Sequence, residues 1–262
     1  GSIRNALGAD LQLNNGGAVS GAVTNIGTRT STGMTSVGSL NNSGIATIAT
    51  NSVLTAGGPV VNSNEMNVNG SVNLPANSHL TNTGAGTLNL AGAVITGTVT
   101  NNGDMNVNSN SRIDGNLINN EDLRLNSTGG AAVTLTVTDT FENTGSVDGS
   151  GTGTLTINAT DYINGVGGTV NNVNVVGNLL NRSSLTYDED SFLAGNLTND
   201  TTGLVNVSAG LDMRGNNVTN RGGFTIGTDA DSAGNLRNVN DLVNERSFTI
   251  LGGGTASANS VL

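Results

Sequence analysis

Acid–base chemistry would have to come from very few side chains in this sequence. Its single histidine, His79, stands in Ser78-His79-Leu80, next to an apolar residue, so on a strand it would point away from the core. No Gly-x-Ser-x-Gly pentapeptide accompanies it, which argues against a serine hydrolase. Cysteine is absent, which excludes thiolate catalysis and disulfides. The sequence therefore predicts no catalytic residue, and we interpret the chain as a non-enzyme.

Two short acidic clusters are the candidates for metal binding. Asp188 and Asp190 flank Glu189 in one turn-like stretch, and Asp229 and Asp231 alternate in another. Carboxylates on alternate residues can give oxygens to one calcium ion. The complete calcium-loop pattern, with acidic residues at three alternate positions and a later Glu, is absent. A solvated acidic loop is the favoured interpretation, calcium is the alternative, and no other cofactor is predicted.

The charge balance restricts the partners. The basic residues number 9, all of them Arg, against 19 acidic residues, which gives a formal charge of −10. Binding to nucleic acid needs a basic surface that neutralises phosphates, and this chain cannot build one. No apolar run approaches the roughly 20 residues of a membrane span. The sequence therefore predicts no nucleic-acid partner and no membrane insertion of this segment.

The amino-acid composition indicates which type of secondary structure the chain forms. Gly, Asn and Thr number 39, 43 and 34 of the 262 residues. Gly costs roughly 0.8–1 kcal/mol per helix-interior position relative to Ala, and Asn and Thr compete with the helical backbone through their side chains. Leu, Ile, Val and Phe are frequent enough for a folded core. An all-β chain is predicted.

A repeat of the form apolar-x-Asn runs through the whole chain. Its asparagines recur about every 20 residues, and Gly lies four residues before many of them, as at Gly97, Gly115 and Gly177. Apolar residues at alternate positions follow each Asn, as in Met66/Val68 and Met105/Val107, which is the periodicity of a strand. The thirteen repeat asparagines are Asn5, Asn25, Asn42, Asn62, Asn82, Asn101, Asn119, Asn143, Asn164, Asn181, Asn199, Asn220 and Asn244.

A unit of about 20 residues is too small to bury its own apolar face, so the units must stack on one another. The sequence predicts a right-handed parallel β-helix, or β-solenoid, of about 13 coils with three short strands per coil. Phe141, Tyr162, Phe224 and Phe248 are expected in its core, whereas Phe192 is left undecided. The repeat asparagines are predicted to form a structural ladder. Asparagine suits such a ladder for two reasons: it tolerates the left-handed backbone of a corner, and its amide can bond to the Asn one coil above.

Units such as Gly-Asn-Leu-Ile-Asn-Asn (115 to 120), Gly-Thr-Val-Thr-Asn-Asn-Gly (97 to 103) and Gly-Asn-Leu-Thr-Asn (195 to 199) resemble the repeats of exported bacterial β-helix proteins. The resemblance is to filamentous haemagglutinin-like adhesins of two-partner secretion and to autotransporter passenger domains. It covers the chain as a style of repeat, without a diagnostic catalytic or receptor motif. It implies a secreted or surface protein on the exterior of a Gram-negative outer membrane.

The expected organisation is one β-helix domain over residues 1–262, as a fragment of a longer repetitive surface protein. The expected function is a structural or adhesive rod that contacts a host, a neighbouring cell or an abiotic surface. Self-association is a variant of this function, because a long flat β face or an uncapped coil can pair with another chain. The alternative is a polysaccharide-active β-helix enzyme or a module similar to a phage tailspike.

Overall fold

The fold is a stack of parallel β coils. The computed structural model describes residues 1–227 and 234–262, and within these ranges its regular elements are all strands. In chain order the strands are β1 Ile3–Asn5, β2 Asp10–Leu13, β3 Ala18–Asn25, β4 Thr28–Ser31, β5 Met34–Asn42, β6 Ile45–Ile48, β7 Val53–Ala56, β8 Val60–Asn62, β9 Glu65–Val68, β10 Ser71–Asn73, β11 His79–Asn82, β12 Thr87–Leu90, β13 Val94–Thr96, β14 Thr98–Asn101, β15 Asp104–Val107, β16 Ser111–Asp114, β17 Leu117–Asn119, β18 Asp122–Asn126, β19 Val133–Asn143, β20 Ser146–Ser150, β21 Leu155–Asn164, β22 Thr169–Asn171, β23 Asn174–Asn181, β24 Ser184–Tyr187, β25 Ser191–Ala194, β26 Leu197–Asn199, β27 Leu204–Val207, β28 Gly210–Asp212, β29 Val218–Asn220, β30 Gly223–Ile226, β31 Asn235–Asn244, β32 Ser247–Ile250 and β33 Thr255–Val261.

Each coil contributes strands to three faces. The first face is a 13-stranded parallel sheet with one strand from every coil, from β2 to β32. The second and third faces belong to one 20-stranded sheet, in which separate ladders run through strands such as β13 and β14. Thirteen coils at about 4.8 Å each give a stack about 60 Å long. The predicted β-solenoid of about 13 coils is confirmed.

The boundary between the second and third faces varies from coil to coil. In β3, β5, β19, β21, β23, β31 and β33 the second and third strands run on as one bent strand, and register shifts mark the bend in several of these pairings. Glycine makes this bend feasible. Gly177 has a φ of 120°, and a Cβ at this position would collide with the Ala159 carbonyl oxygen of the preceding coil. The number of separate strands per coil is therefore two or three.

The core lies between the three faces. The alternating apolar residues predicted from the sequence, such as Met66/Val68 and Met105/Val107, are completely buried on the first face. Aromatic residues of neighbouring coils stack inside: the ring centroids of Phe141 and Tyr162 are 4.5 Å apart. The ring centroids of Phe224 and Phe248 are 5.0 Å apart. Phe248, which was expected in the core, is only partly buried and packs against it. Side chains at one level thus pack mainly on the same position in the next coil.

The thirteen repeat asparagines form an unbroken ladder. They are in register from coil to coil, and the Nδ2 of each of the first twelve donates a hydrogen bond of 2.7–2.9 Å to the Oδ1 of the next asparagine. Asn101 shows the full pattern. Its Nδ2 also donates to the Gly103 carbonyl at 2.8 Å and to the Asp122 carbonyl of the next coil at 3.0 Å. These amides therefore replace with protein partners the water that burial removes.

One of the two reasons given for the ladder is wrong. The repeat asparagines end strands and have no left-handed backbone; the described non-glycine residues with positive φ are Asn51, Asn172, Arg214 and Asn238. The amide points into the interior, and from Asn25 to Asn220 every ladder residue is fully buried. Positive φ occurs instead at other residues, including Gly97, Gly115 and Gly177, which lie four residues before their ladder asparagines. The ladder asparagine is suited to its place by its capacity to donate and accept at the same time.

Candidate functional site

The acidic residues singled out in the sequence do not converge. Asp188 lies in the exposed turn after β24, where its backbone N–H donates to Asn172 Oδ1 at 3.1 Å. Asp190 is also exposed, but its carboxylate points toward the next coil, beside Gly210. In the described part of the chain, no three His, Cys, Asp or Glu side chains come together as a metal site would require. Asp229 and Asp231 lie outside the described residues.

His79 is exposed at the start of β11 and points outward. Its nearest surroundings are hydroxyl side chains, including Thr98 and Thr100 of the next coil, which line the same shallow depression. Hydroxyls of this kind do not activate a histidine as a carboxylate would. The position gives His79 no acid or base partner among the described residues.

The most chemically varied part of the outer surface is a groove at one end of the second face. We call it the Arg214 groove and define it by Asp190, Phe192, Asp212, Arg214 and Arg237. Strand pairing explains its construction, because Phe192 of β25 pairs with Asp212 of β28, and Asp212 pairs with Arg237 of β31. Parallel stacking thus brings residues that are about 20 apart in sequence into one outward row.

Arg214 covers the aromatic wall of this groove. Its guanidinium carbon lies 3.8 Å from the centroid of the Phe192 ring, a cation–π contact. Phe192 is the aromatic residue that the sequence left undecided, and it points outward and is half-buried, unlike Phe141, Tyr162 and Tyr187. Because the guanidinium occupies the ring face, Phe192 does not offer an open platform for stacking a ligand.

The Asp212 carboxylate is held as an anion. Burial alone would raise its pKa, but hydrogen bonds from Asn238 Nδ2 and the Arg214 backbone N–H, both 2.9 Å long, outweigh this effect together with the charges of Arg237 and Arg214. The pKa of Asp212 therefore lies below its usual value. The Arg237 Nε lies 3.8 Å from Asp212 Oδ2, which is an ion pair too long for a hydrogen bond.

Gly210 creates a notch in the floor of the groove. A Cβ at this position would lie 2.7 Å from Arg237 Nη1 and would collide with Asp190 Oδ1. A larger residue would therefore displace the ends of the Asp190 and Arg237 side chains from their places above the backbone of β28. The notch sets side chains of opposite charge on its two sides, so the groove combines donors and acceptors within a few ångströms.

Strained backbone clusters around the same groove. Asn172, Arg214 and Asn238 have φ values of 53°, 50° and 55°, and among the described non-glycine residues only Asn51 also has a positive φ. A left-handed backbone at a residue other than glycine costs on the order of 1 kcal/mol. Such residues gather at functional sites more often than elsewhere. The concentration of three of them here distinguishes the groove from the regular coils.

A second unusual group, Arg29, is inside the solenoid. It occupies an inward position of β4, between Leu11 of the preceding coil and Ala46 of the next, and none of its side chain is exposed. None of its three guanidinium nitrogens has a hydrogen-bond partner among the described residues, and the same holds for the Ser31 hydroxyl two residues later. Burial lowers the pKa of Arg29 to about 10. The position is closed to solvent, so its effect is on stability.

Sequence reasoning missed both features, although a signal existed for each. In other coils the buried pair lies four and six residues after the ladder asparagine. The same positions after Asn25 are Arg29 and Ser31. Phe192 and Arg237 lie at the same distance, seven residues, before their own ladder asparagines, Asn199 and Asn244. Asp212 lies eight before Asn220, and such one-residue shifts hide the row from a search for fixed spacing.

Comparison of the chain with models of protein families, with curated proteins and with solved structures gives no significant match. The described residues contain no helix with the length and apolar character needed to span a bilayer.

Proposed function

We propose that this chain is a structural and adhesive rod of an exported bacterial surface protein. The observation that carries the proposal is the continuity of the asparagine ladder, which joins all thirteen coils by the same buried hydrogen bond. A stack with one bond pattern and one core from coil to coil resists bending at any single coil and can be lengthened without redesign. Those are the properties that a spacer or a fibre requires.

The outer surface is compatible with this role. Outward residues are mainly hydroxyls and amides, and some form ladders of their own: Asn89 Nδ2 donates to Asn67 Oδ1 at 2.9 Å, and Asn106 Nδ2 donates to Asn89 Oδ1 at 3.0 Å. The net charge of −10 keeps such a surface soluble and disfavours non-specific contact with polyanions. The proposed partners are a host, a neighbouring cell, an abiotic surface or another copy of the rod.

Attachment can be tested with beads. Fluorescent beads coated with the purified chain should adhere to at least one of three surfaces, namely cultured host cells, a bacterial lawn and polystyrene, in larger numbers than beads coated with albumin. Beads carrying a variant with a broken ladder, Asn101→Val with Asn119→Val, serve as the matched control, because they present the same outer side chains on a disrupted stack. Adhesion equal to albumin on every surface would contradict an adhesive role.

Enzymatic activity provides the opposing measurement. The chain should release no reducing ends from a panel of acidic polysaccharides, with or without added calcium. Sustained turnover would contradict the structural role and favour the polysaccharide-active alternative.

Calcium binding by Asp188 and Asp190 is a separate proposal. Chelation should lower the melting temperature if the ion stabilises this turn, and an unchanged melting temperature would remove calcium from the description.

A further inference from the structure

We propose that the Arg214 groove binds a saccharide unit that carries a single carboxylate. This inference goes beyond the function of the rod, because it assigns a particular site and ligand chemistry to one end of the second face. It rests on the convergence of two guanidiniums, two carboxylates and a glycine notch in one concave surface.

The two guanidiniums supply the donors for a carboxylate. The Arg214 guanidinium carbon lies 3.8 Å from the Phe192 ring centroid, and this cation–π contact uses none of its N–H groups as hydrogen-bond donors to an acceptor atom. Neither Arg214 nor Arg237 has a side-chain hydrogen bond to an acceptor in residues 1–227 or 234–262. By contrast, Arg112 donates to Asp114, and Arg124 donates to Asp104 at 3.0 Å. Arginine forks bind carboxylates by paired, charge-assisted hydrogen bonds.

The remaining lining fits sugar hydroxyls. Asp190 and Asp212 present carboxylate oxygens that accept hydrogen bonds, and the Thr154 hydroxyl can both donate and accept. Asn174 supports the wall of the groove: its Nδ2 donates to the Leu155 carbonyl at 2.9 Å, and its Oδ1 accepts from the Phe192 backbone N–H at 2.7 Å. A hydroxyl-rich ligand can use the two carboxylates and the hydroxyl, whereas an apolar ligand would leave them without partners.

Charge limits the ligand to one carboxylate. Asp190, Asp212 and the nearby Glu189 oppose Arg214 and Arg237, and the whole chain carries −10. A polyanion, such as a sulfated or uniformly acidic polymer, would meet repulsion beyond the two guanidiniums. A ligand with one carboxylate between Arg214 and Arg237 and neutral hydroxyls elsewhere would pair with the two guanidiniums without adding further repulsion from the acidic residues.

The site is also more rigid than an ordinary surface loop. Arg214 is fixed by its backbone N–H bond to Asp212 Oδ1 and by the Phe192 ring, and Asp212 is fixed in turn by Asn238. About a third of the Arg237 side chain and a quarter of the Asp212 side chain are exposed, 37% and 24% respectively. Prior ordering of these side chains lowers the entropy that a ligand must otherwise overcome on binding.

The experiment compares two sugars that differ by an acidic unit. Sialyllactose, a trisaccharide with one carboxylate, and lactose, its neutral core, are titrated into the folded chain by calorimetry, with inorganic phosphate as a third probe. Sialyllactose should bind at least about tenfold more tightly than lactose. Equal binding of the two sugars, no binding of either, or binding of phosphate as tight as that of sialyllactose would each overturn the proposal.

Two variants locate the binding and one serves as the control. Arg214→Gln and Arg237→Gln should each weaken binding of sialyllactose about tenfold, since each removes a charged donor from the groove. Arg112→Gln makes the same charge change elsewhere on the second face and should leave the affinity unchanged. Melting temperatures verify that all three variants are folded. An equal loss in Arg112→Gln would overturn the site, whereas bead adhesion tests the rod function independently.

Discussion

The asparagine ladder and Arg29 are both buried and polar, but they differ in how completely they are hydrogen-bonded. Both lie inside the solenoid, and both Asn101 and Arg29 are completely removed from solvent. Asn101 accepts a hydrogen bond from Asn82 in the coil below and donates to Gly103 in its own coil and to Asn119 in the coil above. The Arg29 guanidinium, in contrast, has no hydrogen-bond partner among the described residues. The difference teaches that burial itself does not determine the energetic effect of a polar residue in this core. The completeness of its hydrogen bonding does.

The largest effect is expected from breaking the ladder. Asn101→Val removes the amide, so Asn82 Nδ2 loses one of its three acceptors. The Gly103 and Asp122 carbonyls lose their Asn101 donor inside the stack. We expect the free energy of unfolding to fall by about 3 kcal/mol. Urea denaturation of the variant and the unmodified chain measures this difference in the free energy of unfolding.

The control for this variant is Asn206→Val, the same substitution on the outer side of strand β27. It should change stability by less than about 0.5 kcal/mol. Equal losses at Asn101 and Asn206 would show that the buried bonds add nothing beyond an ordinary surface amide.

Replacing the buried guanidinium should act in the opposite direction. Arg29→Met fills a similar volume without a charge, so we expect unfolding to require about 2 kcal/mol more. Arg124→Met is the matched control. Arg124 lies on the outer face and is paired with Asp104 and Asp122, so its loss should lower stability by less than about 1 kcal/mol. A destabilised Arg29→Met variant would mean that Arg29 has an internal partner, such as buried water.

The effect of Arg29 should also depend on pH. Burial lowers its pKa to about 10, below the ordinary value of an arginine, so the folded state holds this proton less tightly than the unfolded state. The destabilisation caused by Arg29 is therefore full at pH values below about 10 and decreases as the pH rises above 10.

This expectation is measured as a difference between two proteins. The stability gap between Arg29→Met and the unmodified chain should shrink when denaturation is repeated at about pH 11 instead of about pH 8. Burial raises the pKa values of Tyr162 and Tyr187, which destabilises the folded state in alkali, but both proteins share that effect. A constant or widening gap would contradict the lowered pKa of Arg29.

The smallest effect concerns two buried hydroxyls. Tyr162 and Tyr187 are fully buried, and their hydroxyl oxygens have no hydrogen-bond partner among the described residues. Tyr187→Phe keeps the ring and removes the hydroxyl, so stability should stay unchanged or rise by up to about 1 kcal/mol. Tyr162→Phe should behave in the same way. A loss greater than about 1 kcal/mol in either variant would indicate that the hydroxyl is bonded to internal water.

The sequence predicts the coil architecture well because one spacing dominates it. The apolar-x-Asn repeat indicates which residues stack, and the same count locates buried pairs such as Met105/Val107. The backbone conformation of the asparagines was predicted wrongly, because Asn occurs both in left-handed turns and as an inward strand residue. Spacing alone does not distinguish these two roles.

The Arg214 groove could not be predicted from spacing in the same way. Arg214 and Arg237 are 23 positions apart in the sequence, and their meeting depends on a loop that folds Arg214 back over Phe192. The notch at Gly210 depends on side chains from two other coils. The position of Arg214 thus depends on irregular backbone with a positive φ. Regular strand pairing aligns only the outward row of Phe192, Asp212 and Arg237.

Neighbouring ladder asparagines are separated by as few as 17 and as many as 24 residues, yet the hydrogen bonds between them remain 2.7–2.9 Å long. Each coil therefore restarts its alignment at its own asparagine, and an insertion or deletion disturbs only the coil that contains it. For a gene of this kind, unequal recombination that adds or removes whole units should change the length of the rod while leaving every other unit in frame. The ladder thus makes copy number, more than point substitution, the accessible route by which such a protein varies its reach.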